Sequence, residues 1–376
     1  MLKFLTICAA LLSTASVAHA QTALGALGAN FNDHPEDVDY NELKRADARW
    51  LHLVLQMPHL DRGPAAGNGA VKTVLDASSR GFNTMFSLRF PFTDRDVPAI
   101  GGPDMEREIA RLDAVLPLVM GKVDVLVIGA EPYIETRPAD RDFDLNAFYE
   151  ALAARVIAYR KTNCPDACKT RLYMGGLNRL DIRANRTAST ERWMEYVRTT
   201  PELDGVSFRM HLPDIKASKG FLDYILPRMR PDQTFVVPEF SLIWWWVPNL
   251  KTNIPASFAD KYQAPRNAQT WQIIQAALET PFSKAQWDEF MSQTGWIESQ
   301  KHYLGDQMKI LRATGRLAVA TYGFKQGKAL GTDFPATRAP WLLNSIYADR
   351  TAKRNPDGTA AFNYAWIDDF KAAQKQ

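Results

Sequence analysis

The chain has 376 residues, a formal charge of +3 at neutral pH, and 46% hydrophobic residues. Its charges are scattered and near balance. No basic block marks a nucleic-acid surface, and past the N-terminal segment no apolar stretch is long enough to span a membrane.

Residues 1–20 read as a cleavable secretory signal, with Lys3 at its positive start, an apolar core from Phe4 to Leu12, and a small-residue cleavage site at Ala18-His19-Ala20. A secreted or periplasmic protein is expected, with residues 21–376 as a single catalytic domain and a monomer as its state. Gly25 to Phe31 is predicted as a first strand ending at Asn30, followed by a short helix from Tyr40 to Asp47. Arg49 to Gln56 gives a second strand, with Trp50, His52 and Val54 on one face. A helix over 70–79 stops at Gly81, the usual residue for a left-handed helix end. A third strand runs from Phe82 to Phe90. Pro103 opens a helix to Val119 with acids in its first turn.

The fourth strand ends in Gly129-Ala130-Glu131, and a long helix follows from Phe143 to Lys161. Leu172 to Gly175 is the fifth strand, leading to Asn178. Gly205 to Met210 is the sixth, ending at His211, with helices over 190–199 before it and 221–229 after it. Thr234 to Ser241 contains the seventh. A long insertion over 241–269 opens with Trp244-Trp245-Trp246, and helices fill 270–313. Arg316 to Tyr322 is the eighth strand, and helices over 340–347 and 362–373 close the chain. Strands and helices alternate without a Pro- or Ser-rich linker. The pattern predicts one α/β domain, a (β/α)8 TIM barrel with a long insertion after strand seven.

Cys164 and Cys168 can close a small disulfide loop in an oxidising compartment; the alternative is two free thiols. Two thiols with no nearby His do not make a zinc site, and no metal is expected.

Two apolar runs, Val123 to Ile128 and Thr234 to Val237, each lead to a Glu: Glu131 and Glu239. Both runs read as buried parallel strands, whose ends in a closed barrel lie on the catalytic face. Two carboxylates flanking a cleft are what acid/base cleavage of a glycosidic bond requires. The chain has no G-x-S-x-G, H-E-x-x-H, G-x-G-x-x-G or Walker loop.

Gly129-Ala130-Glu131-Pro132 resembles the Asn-Glu-Pro signature of glycoside hydrolase clan A, and Pro238-Glu239-Phe240 resembles that clan's nucleophile strand. Ala48 to His52 is similar to the clan's second strand and Ser207 to His211 to its sixth, over a likeness spanning roughly residues 24–324. Within the clan, these motifs resemble those of family 39 and its exopolysaccharide-processing relatives. The resemblance implies a retaining hydrolase of a polysaccharide or oligosaccharide that needs no cofactor. Glu131 would be general acid, then general base, with a raised pKa, and Glu239 the nucleophile.

Strand-end candidates for sugar contact are Asn30, His52, Arg89, Asn178 and His211. Tyr133 and Tyr322 are expected to line the cleft. Of the three tryptophans at least one is expected in the core and one in the cleft, with Trp244 and Trp245 as candidates for stacking on a sugar. The chain departs from the clan at Ala130, where Asn is usual, and at His52, where Arg is usual. These departures favour a non-catalytic carbohydrate-binding barrel as the alternative. A transglycosylase using the same carboxylates is a third reading.

Overall fold

A computed structural model describes residues 24–166, 168–326 and 331–375. The signal segment 1–20 lies outside the described residues. The strands are β1 (Ala26–Asn30), β2 (Trp50–Gln56), β3 (Asn83–Arg89), β4 (Val125–Ile128), β5 (Arg171–Asn178), β6 (Gly205–His211), β7 (Thr234–Val237), β8 (Phe240–Ser241) and β9 (Leu317–Gly323). They run in the order β5-β4-β3-β2-β1-β9-β7-β6, and β6 pairs back onto β5. Every ladder is parallel. β7 and β8 are one stave interrupted at Pro238-Glu239, since both pair with β6. Proline has no N–H to give a ladder, and the break frees Glu239 from the strand. The ring therefore closes with eight staves: a (β/α)8 TIM barrel.

Period-two alternation sorts the strand residues into two sets. Leu51, Leu53, Leu55, Phe86, Leu88, Leu126, Ile128, Phe208 and Met210 face outward and pack under the helices. Inside, the composition is graded. Trp50, Met85, Val125, Val127, Tyr173, Val236 and Val319 fill the lower barrel with apolar volume. Above them lie Asn30, His52, Ser87 and Ser207, all buried. The charged groups Arg89, Arg209, Glu131 and Glu239 come last, at the carboxyl ends of the strands.

Backbone shape at the end of β4 places Glu131. Gly129 has φ +95°, a conformation that side chains disfavour, and a Cβ there would meet the Tyr149 ring at 2.5 Å. Opposite it, Cβ atoms on Gly175 and Gly176 would lie 2.4 Å from the carbonyl oxygens of Gly129 and Ala130. The β4 end thus turns sharply while pressed against an irregular stretch of β5.

The insertion after strand seven carries helices at Ile243–Asn249 and Ala256–Tyr262. One sequence expectation is corrected: the closing helix expected over 340–347 is only a short 3-10 turn, Trp341–Asn344. Cys164 and Cys168 are joined, their Cα atoms 5.4 Å apart, just after the helix Phe143–Asn163.

Candidate active site

A cavity of about 370 Å³ opens at the carboxyl ends of the strands. Its lining includes Glu131 from the β4 end, Glu239 from the β7–β8 break, Arg89 from β3, and Arg209 and His211 from β6. The β1 end supplies Asn32 and Asp33, and the insertion supplies Trp244. Asn32 takes a left-handed conformation, φ 50°, which Asn tolerates better than most residues. Its Oδ1 accepts from Arg209 Nη1 and Nη2 at 3.3 Å.

Arg209 stands between the two glutamates. Nη1 donates to Glu239 Oε2 at 2.7 Å, and Nε, which has no hydrogen-bond partner among the described residues, lies 3.6 Å from Glu131 Oε1. The second Glu239 oxygen accepts from Gln326 Nε2. Arg89 bridges two further carboxylates, reaching Glu131 Oε2 at 3.0 Å and Glu135 Oε1 at 2.6 Å. Asp33 lies 3.8 Å from the same guanidinium. His211 Nδ1 is hydrogen-bonded to Ser241 Oγ at 2.8 Å, and its Nε2 lies 3.9 Å from Glu239 Oε2.

These contacts set the charge states. Burial pushes the Glu131 carboxyl up, but Arg209 and Arg89 outweigh it and hold the group below the ordinary carboxylate range. The expected raised pKa of Glu131 is therefore corrected for the free protein. Glu135 goes the other way: its burial exceeds what Arg89 returns, and Glu131 adds repulsion, so its pKa is raised. Burial, with the nearby Arg209 and Arg89 charges, keeps His52 neutral. His211 is also shifted down, by burial more than Glu239 and Glu131 restore.

No family model matches the sequence, and no curated protein matches it. The structure is similar to the GH53 catalytic domain of Ignisphaera aggregans, with TM-score 0.53 and 11% identity over 92% of this chain and 94% of that one. It is also similar to a structure from a study of two fungal β-1,4-galactanases, with TM-score 0.52 and 12% identity over 94% of this chain and 100% of that one. At such identities the likeness is one of fold.

Of the residues singled out in the sequence, Glu131, Glu239, Arg89, His211 and Trp244 face this cavity. Trp244 is 48% exposed and Trp246 is buried, as three successive positions on a helical turn require. Trp245 is not in the cavity; its Nε1 donates to the Trp296 carbonyl at 3.3 Å. Tyr322 is also misplaced by the sequence reading. Alternation turns Thr321 inward to the Pro238 carbonyl and Tyr322 outward, its ring 5.1 Å from Phe240. Tyr133 and Asn178 line a separate cavity beside the first.

Asn30 and His52 lie one layer below the cavity, fully buried. Asn30 Oδ1 can only accept, so the neutral His52 donates from Nδ1 at 2.8 Å and accepts from Ser87 at Nε2, also 2.8 Å. This relay supports the strand ends and touches no substrate space.

Arg209, Gln326, Asn32, Asp33 and Trp341 were not found from sequence. Trp341 presents an aromatic ring to the cavity, 5.1 Å from the His211 ring. Arg209 had a signal: Val206-Ser207-Phe208-Arg209-Met210-His211 alternates strictly, which puts Arg209 inward with His211. Gln326 lies in irregular chain after the last strand and Trp341 opens the short 3-10 turn, where no apolar period marks them. Among the described residues, His34, Glu36 and Asp37 bring possible metal-ligand atoms within 4.8 Å of one another. Glu36 is exposed and hydrogen-bonds His34 at 3.1 Å, while Asp37 is buried. No helix among the described residues is long and apolar enough to cross a membrane.

Proposed function

We propose that the protein is a retaining glycoside hydrolase of clan A type, acting on a polysaccharide or oligosaccharide. The observation that carries the reading is the facing pair Glu131 and Glu239 on one cavity at the carboxyl rim of the barrel, with Arg209 between them. In this reading Glu239 attacks the anomeric carbon. Its two oxygens each accept one protein hydrogen bond, which leaves lone pairs for attack and fixes the carboxylate plane. Glu131 protonates the leaving oxygen and then, as a base, activates water. Trp341 and Trp244 offer ring faces to the sugar. Kinship with family 39 rests on the sequence motifs, and export on the signal segment.

Arg209 also answers the departure at His52. The clan places an Arg on strand two beside the nucleophile; here strand six supplies the guanidinium, and His52 serves as a buried support. At Ala130, of the two residues that could stand in for the Asn, Asn178 lines the second cavity, and Arg89 lines the first and donates to Glu131.

The low Glu131 pKa has a consequence. At neutral pH the free protein holds it ionised, so the productive protonated form grows as pH falls. kcat/KM on unactivated substrates should therefore rise toward acid, with an alkaline limb below the ordinary carboxylate range. The test is a polysaccharide screen for new reducing ends, with the anomer of the first product read by NMR. An inverted first product would exclude the retaining mechanism. Hydrolysis of no glycan, with binding retained, would favour the second reading, a carbohydrate-binding barrel. That reading has its own support: both Glu239 oxygens are already engaged and Glu131 is ionised.

A further inference from the structure

Beside the first cavity lies a second, of about 400 Å³. Ile134 lines both. The wall between them is completed by Trp244, on the first cavity, under the guanidinium of Arg179, on the second, 5.3 Å from the ring centroid. Arg179 follows the end of β5 with φ 49°, a left-handed conformation that Arg rarely adopts. The strained turn carries its side chain toward Trp244 rather than onward along the strand.

The chemistry of the second cavity is one-sided. Asn178, Asn185, Thr187 and Arg141 bring polar side chains to it. Arg179 is neutralised by Asp181, which accepts from Nε at 3.0 Å and Nη2 at 2.9 Å. Arg141 is not. It donates from Nε to the Thr136 carbonyl at 2.8 Å and makes no ion pair among the described residues. Burial alone shifts its pKa, downward, with no carboxylate near enough to offset it. The neighbouring acids are committed elsewhere: Asp140 pairs with Arg137, and Asp142 caps the helix Phe143–Asn163.

A half-buried guanidinium without a counter-charge carries an uncompensated desolvation cost. A planar carboxylate relieves it best, through two parallel N–H···O bonds, whereas a neutral sugar offers only hydroxyl oxygens. We propose that the second cavity is a subsite for a uronate residue, its carboxylate received by Arg141, so that the glycan handled in the adjoining cavity is an acidic one. The inference rests on the glycosidase reading for the fate of the glycan, but recognition of the carboxylate stands independently of turnover.

Binding of matched glycan pairs to the full protein tests it by calorimetry. The probes are oligosaccharides of galacturonan, alginate and glucuronoxylan, each beside its carboxyl-reduced counterpart, with a sulfated galactan oligosaccharide as the other anion source. At least one uronate glycan should bind about tenfold or more tightly than its reduced form. Arg141→Gln should abolish that margin by weakening the uronate form far more than the reduced form, and Arg141→Lys, which keeps the charge but not the fork, should restore part of it. Equal affinity within every pair, no binding of any uronate glycan, or a preference for the sulfated probe alone overturns the assignment. The wild-type comparison decides this even if a variant folds poorly. A uronate preference without cleavage of any glycan would retire the catalytic reading and keep the subsite. Cleavage of neutral glycans without a uronate preference would do the reverse.

Discussion

Glu239 and Glu131 share one cavity and one guanidinium, yet their surroundings differ. Glu239 is 2% exposed, with one oxygen on Arg209 and the other on Gln326. Glu131, its side chain 13% exposed, has its oxygens toward Arg209 and Arg89, and Arg89 is itself shared with Glu135. The first carboxylate is fixed in position by two donors. The second sits in a charge balance of two arginines and a neighbouring acid, so its protonation depends on partners as much as on its own burial. That difference suits the proposed division of labour: a nucleophile must stay oriented, and an acid/base must gain and lose a proton.

The largest expected effect is at the fixed member. Glu239→Gln keeps the shape and the Arg209 contact but removes the charge that attacks in the proposed mechanism. Turnover of every substrate should fall by more than the ~10⁴-fold that bounds general acid–base catalysis. Residual activity near wild type would transfer the nucleophile's role away from Glu239. At the tunable member the loss should depend on the leaving group. Glu131→Ala should lower hydrolysis of unactivated glycans by about 10²–10⁴-fold, and an aryl glycoside with a good leaving group should lose much less in its first step. Added azide should then collect the stranded glycosyl group. The same loss on both substrate types, without azide rescue, would erase the contrast between the two glutamates.

Arg209→Met removes the group they share. Its side chain is 4% exposed and that of Glu239 is 3% exposed, and breaking a buried pair by deleting one partner costs about 3–5 kcal/mol. The folded-state pKa of Glu131 lies below its unfolded value, so the stabilisation it reports is present at neutral pH and lost as pH falls through the folded pKa. The stability gap between wild type and variant, measured by urea unfolding, should accordingly narrow toward acid. A gap independent of pH would mean that the guanidinium acts through packing alone.

The apolar skeleton of this comparison was legible in the sequence, and the polar contacts were not. Runs such as Val125 to Ile128 announce a buried strand because both faces of a barrel stave are apolar low in the barrel. That is enough to order eight staves and to put two Glu at their ends. The sequence also offered Tyr322 for the cleft, but the ordinal of a strand says nothing about the phase of its alternation, and Thr321 holds the inward position. The resemblance points to strand two for the cation, whereas strand six supplies it as Arg209. The partnership of Arg89 with Glu135 lay further out of reach. Glu135 is beyond Pro132, past the strand, and only the turn from Glu131 brings it back, its N–H donating to the Glu131 carbonyl at 2.9 Å.

Glu135→Gln gives the smallest effect and the sharpest test of the charge balance. Burial raises the Glu135 pKa, so at low pH the wild-type acid is protonated and the amide imitates it. The variant and the wild type should then share one kcat/KM. As pH rises through the Glu135 pKa, the wild type gains a second negative charge beside Arg89. That charge draws on the guanidinium and repels Glu131, which favours the microstate with the proton on Glu131. The variant never gains it, so its active fraction should fall faster with pH. The ratio of wild-type to variant kcat/KM should climb from about one at acid pH to severalfold once Glu135 is ionised. A ratio constant across pH would show Glu135 to be only a structural anchor for Arg89, and a ratio that falls with pH would reverse the sign assigned to its charge.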